Sequence, residues 1–103
     1  MSHTLGEKVI HTRVGEPVEV KVAGTGTTGY LWRVNADPSK VRVVSHRNEP
    51  DPESFGGAGE EAFVLEAVEE GGAPVTFSLE TPWDQKPAEV HTVMLDSRVG
   101  SGD

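Results

Sequence analysis

The sequence predicts an all-β fold built from about seven short antiparallel strands and closed as a sandwich or barrel. Three observations predict it. Apolar residues recur with a period of two in segment after segment, as half-buried strands require. Clusters of Gly, Pro, Asp and Ser separate those segments, as turns do. No long segment carries the 3.6-residue period of an amphipathic helix.

The strands follow in order. Glu7–Thr12 opens the set. Pro17–Ala23 places Val18, Val20 and Val22 on one face and Glu19 and Lys21 on the other. Tyr30–Asn35 alternates Tyr30, Trp32 and Val34 with Leu31 and Arg33, and Trp32 is read as core. Val41–Arg47 is rich in valine. In Ala62–Val68, Phe63, Leu65 and Ala67 share one face. Val75–Glu80 alternates Val75, Phe77 and Leu79 with Thr76, Ser78 and Glu80. Glu89–Ser97 alternates two sets through Val90 to Leu95. β-branched and aromatic residues fill these runs, as a pleated surface favours. Residues 1–97 are expected to form one domain, with 98–103 as a Gly- and Ser-containing tail that frays.

The connections are of two kinds. The first, third and fifth are plain turns: Val14–Glu16, Ala36–Ser39 and Glu70–Pro74. The second, fourth and sixth are Gly24–Gly29, Asn48–Glu61 and Thr81–Ala88. If successive strands alternate in direction, this second set gathers at one pole, where sandwiches carry their functional loops.

Composition removes several function classes. The formal net charge of −8 over 103 residues disfavours nucleic acid and anionic membrane as partners. Without cysteine there is no disulfide, thiolate metal site or thiol nucleophile. No stretch reaches the ~18 apolar residues of a membrane span. No signal peptide is visible, so the expected setting is cytoplasmic, or secreted or periplasmic with the signal removed. The acidic runs, Glu49 to Glu53 and Glu60, Glu61, Glu66, Glu69 and Glu70, read as solvated faces. Glu49, Asp51 and Glu53 lack the spacing and glycine of a calcium loop, so no metal and no cofactor is assigned. His3, His11, His46 and His91 are scattered and pair with no nucleophile motif, so no catalytic residue is assigned and the chain is read as a binding protein, not an enzyme.

The first special loop, Gly24-Thr25-Gly26-Thr27-Thr28-Gly29, runs into a strand with no Lys and no helix behind it, which rules out a phosphate cradle. In the second, Phe55-Gly56-Gly57-Ala58-Gly59 offers few side chains, so recognition there would fall to main-chain groups. The third, Thr81-Pro82-Trp83-Asp84, places a tryptophan in a polar loop. Such a residue either caps the core or serves as a binding anchor.

Taken together, Thr27-Thr28-Gly29-Tyr30-x-Trp32, then Gly56-Gly57-Ala58-Gly59 shortly before Phe63, then Pro82-Trp83, form an ordered set. The set resembles the chagasin-like inhibitors of papain-family cysteine peptidases, over about Val14 to Ser97. The resemblance implies an immunoglobulin-like antiparallel β-sandwich of seven or eight strands. It implies reversible inhibition, with three loops wedged into the peptidase cleft and a papain-family cysteine peptidase as partner of a monomeric inhibitor. By resemblance Thr27 and Thr28 sit over the target's catalytic cysteine, and Gly29 beside them counts among the target-binding residues. Gly56, Gly57, Ala58 and Gly59 lie along the non-primed groove, Pro82 and Trp83 meet the primed side, and Thr81 before them counts among the target-binding residues. The sequence departs from the family where Thr25-Gly26 stands for Asn-Pro, where Thr81 stands for Arg, and in the order Gly-Gly-Ala-Gly. The alternative is a non-inhibitory immunoglobulin-like binding or adhesion module; a carbohydrate-binding sandwich that stacks sugars on Trp83 is a third reading.

Overall fold

A computed structural model of the chain describes residues 2–25, 29–49 and 59–99. Among them it forms eight strands: β1 (Ser2–Thr4), β2 (Val9–Arg13), β3 (Val18–Ala23), β4 (Leu31–Asn35), β5 (Val41–Glu49), β6 (Glu60–Ala67), β7 (Gly71–Glu80) and β8 (Glu89–Arg98). They make two four-stranded sheets, in the orders β1-β3-β6-β5 and β2-β8-β7-β4. The fold is thus the expected all-β sandwich. The sheets are mixed, however. β3, β5 and β6, and likewise β4, β7 and β8, pair antiparallel. The two N-terminal strands add parallel, β1 to β3 and β2 to β8.

The alternation does the folding. Val18, Val20 and Val22 of β3 and Phe63, Leu65 and Ala67 of β6 are buried from one sheet. Ile10, Ala73, Val75, Phe77, Val93 and Leu95 are buried from the other. Phe63 meets Phe77 edge-on across the sheets, ring centres 5.7 Å apart, a favoured aromatic geometry. Of the two sets on β8, the inward one is Val93, Leu95 and Ser97, while Val90 and Met94 face out. The Ser97 hydroxyl is buried and donates to the Glu69 carbonyl at 2.8 Å.

Four sequence expectations need correction. Trp32 is only half-buried. It packs against the core, but its Nε1–H donates to the Ala23 carbonyl at 2.8 Å, and a polar edge that needs a partner stays near the rim. Gly71–Pro74, expected as a turn, belongs to β7 and pairs with Met94 to Ser97. Pro74 is tolerated because β4 reaches β7 only from Thr76 onward, leaving its nitrogen on a locally open edge. β8 continues through Arg98, the first residue of the expected tail, which pairs with Arg13. Glu61, expected on a solvated face, is buried at 6% exposure.

The plain turns meet at one pole. Gly15 N–H donates to the Ala67 carbonyl at 3.0 Å, and Val68 N–H to the Lys40 carbonyl at 2.8 Å. The special loops leave from the other pole.

Candidate functional site

Three fasteners hold the root of the first loop. From below, the Trp32 indole N–H grips Ala23, the last residue of β3. This ties the loop's two flanking strands together, although they lie in different sheets. From the side, Gly24 N–H donates to the Gly59 carbonyl at 2.7 Å. A side chain on Gly24 would place Cβ 2.7 Å from that oxygen, so the two backbones can approach only because Gly24 has none. Thr25 Oγ1 then donates to Glu61 Oε2 at 3.3 Å. First and second loops are therefore joined where they leave the sheets. Between them lies a cleft of about 460 Å³, lined by Gly24, Gly29, Tyr30, His46, Gly59 and Glu61 among others.

The ends of the second loop are pinned separately, on the outer face of the β1-β3-β6-β5 sheet. Glu49 and Glu60 face each other as the last pair of β5 and β6. Lys21 Nζ reaches both, at 3.2 and 3.7 Å. Arg47 bridges Glu49 and Glu19. Hydrogen bonds from Arg47 and then Lys21 hold the Glu49 carboxyl below its ordinary range. The Lys21 ammonium is raised, chiefly by its hydrogen bond to Glu49.

The third loop is shaped by Thr81. This residue is buried, its hydroxyl donates to Asp84 Oδ2 at 2.8 Å, and Asp84 N–H returns to the Thr81 carbonyl at 3.4 Å. The turn carries Pro82 and Trp83 outward, and Trp83 is 70% exposed. Trp83 is therefore not a core cap. Its ring lies over Gly29, where a Cβ would come within 2.9 Å of Trp83 Cη2. Gly29 also has φ +87°, which side chains rarely adopt. First and third loops thus touch at Gly29 and Trp83.

Of the sequence-predicted site residues, the structure brings Gly29, Gly59, Pro82 and Trp83 to one pole, with Thr81 buried behind them. Thr27, Thr28, Gly56, Gly57 and Ala58 lie outside the described residues. Sequence reasoning missed Glu61 and His46, which meet at this pole with Glu61 Oε1 2.8 Å from His46 Nε2. The signal was available: Glu61 is in phase with Phe63, Leu65 and Ala67, hence on the inward face.

A sandwich that gathers three connections at one pole, with an exposed tryptophan among them, defines a loop-presenting binding protein. The sequence matches the model of the chagasin family of peptidase inhibitors, I42, over residues 11–96. The chain belongs to that family and is an inhibitor of peptidases, not an enzyme. Among solved structures it is similar to the cysteine protease inhibitor EhICP2 of Entamoeba histolytica, at TM-score 0.79 and 15% identity over 93% of this chain and 92% of that one. It is also similar to amebosin, at TM-score 0.72 and 21% identity, covering 95% and 97%. A third similar structure is PbICP-C in complex with falcipain-2, at TM-score 0.57 and 17% identity, covering 96% and 91%. No curated protein matches the sequence.

Proposed function

We propose that the chain is a reversible inhibitor of papain-like cysteine peptidases that fills the active-site cleft with its three special loops. The convergence of the loop roots carries the reading: Gly24 bonds to Gly59, and Trp83 lies on Gly29. Loops fastened to one another lose less freedom on docking than free ones. In this reading Thr27, Thr28 and Gly29 cover the target's cysteine. Gly56 to Gly59 offer main-chain hydrogen bonds as a substrate backbone would. Pro82 and Trp83 are the anchor, and Thr81 shapes their turn. Family membership and the description of EhICP2 as a cysteine protease inhibitor support the target class.

Titration against papain tests it. Inhibition should be competitive and reversible, with the inhibitor recovered uncleaved and a serine peptidase unaffected. Failure to slow papain or lysosomal cathepsins at inhibitor concentrations of about 10–50 μM would refute it, since even a 1 μM Kd is only about −8 kcal/mol.

A further inference from the structure

Glu61 is the one buried carboxylate among the described residues. Taking a carboxylate out of water is costly unless its oxygens are hydrogen-bonded. Both oxygens are. Oε1 accepts from His46 Nε2 at 2.8 Å, and Oε2 accepts from Thr25 Oγ1 at 3.3 Å. The partners come from β5 and from the first loop, while Glu61 itself lies on β6, two residues past Gly59. The first loop is thus joined to the root of the second twice: by main chain, through Gly24 and Gly59, and by side chain, through Thr25 and Glu61. His46 is itself held in place. Its ring lies flat on Phe63, with centres 4.3 Å apart and planes 6° off parallel, and Phe63 sits edge-on against Phe77 in the core.

We propose that Glu61 is a positioning residue for inhibition. Its carboxylate, steadied by His46, fixes the first loop against the root of the second, so that the pole docks as one body. The inference rests on the reading of these loops as inhibitory, and it assigns Glu61 no contact with the target.

The test uses Thr25→Val, which deletes the hydroxyl at constant shape, Thr25→Ser, which keeps it, and Glu61→Leu, which removes both acceptors at similar volume. Inhibition of papain, thermal melting and amide hydrogen exchange are measured on each. Thr25→Val and Glu61→Leu should each weaken inhibition about 5- to 10-fold, the scale of an ordinary hydrogen bond. In the double variant the losses should not add. Exchange at Gly24 should quicken while Val20 and Phe77 stay protected, and Thr25→Ser should match the wild type. Equal inhibition and equal exchange in the Val and Ser variants would overturn the proposal. If the wild type does not inhibit papain, the inhibitory reading falls on its own. The exchange comparison still decides the role of Glu61: quickened exchange at Gly24 supports it, and unchanged exchange removes it.

Discussion

Gly29→Ala separates the backbone of the first loop from its contact with Trp83. Gly29 has φ +87°, and holding an L-residue in that region costs about 1–2 kcal/mol. Each kcal/mol lowers the melting temperature of a domain of about this size by roughly 4–8 °C. The new Cβ also falls 2.9 Å from Trp83 Cη2. That ring is exposed and can swing away, so the clash adds little to the loss of stability. It does move the anchor. A hot-spot tryptophan contributes about 2 kcal/mol or more to binding, and a displaced one should forfeit most of that, weakening inhibition about tenfold or more. Gly15→Ala is the matched control. Gly15 has φ +83° in a turn at the far pole, with nothing within 4 Å of its Cβ position. Both variants should melt lower by similar amounts, and only Gly29→Ala should inhibit papain less. In a Trp83→Ala background, Gly29→Ala should have little further effect on inhibition. Equal inhibition by Gly29→Ala and the wild type, or equal weakening by Gly15→Ala, would refute the reasoning.

Trp83→Ala alone should weaken inhibition by about 2 kcal/mol or more and leave the melting temperature nearly unchanged, because the ring is exposed; a drop of many degrees would return Trp83 to the core. Acid should destabilise the fold through three carboxyls held below their ordinary values. Glu7 is held chiefly by His3, Asp37 by the Ser39 hydroxyl and then its N–H, and Glu49 by Arg47. Their contribution is present above the unfolded carboxylate range of about 4 and drains as the pH falls through the lower folded values. The urea midpoint should therefore decline below about pH 4, modestly because the groups are exposed; a midpoint flat from pH 5.5 to 3 would count against these pairings.

Alternation made most of the sandwich legible, since Val18 to Val22 and Phe63 to Ala67 permit one inward face. It failed where the side chains carry no such message. β1, Ser2-His3-Thr4, has no apolar residue and forms by pairing with Glu19 to Lys21. The opening of β7 looked like a turn because Gly71, Gly72 and Pro74 are turn formers; sheet pairing overrides that preference along an edge β4 does not cover. At the pole, Trp83 could be flagged as an anchor or a cap, and its exposure decides for the surface. Glu61 escaped because composition assigned it to an acidic run, although its parity already placed it inside. The bond between Gly24 and Gly59 could not be read at all, since it joins residues distant in sequence through main-chain atoms that every residue shares.

The facing of Glu49 and Glu60 has a consequence for how this scaffold can change. Two like charges directly opposite on a sheet repel, and Lys21 between them converts the pair into a clasp. The chain therefore leaves and rejoins a finished ladder at adjacent points, and the sheet does not register how much chain lies in between. Doubling the length of a closed loop costs only about 0.6 kcal/mol in general. The ladder thus leaves the connection between Glu49 and Gly59 free to differ in length while the sandwich persists. The freedom ends at Gly59, whose backbone already presses on Gly24.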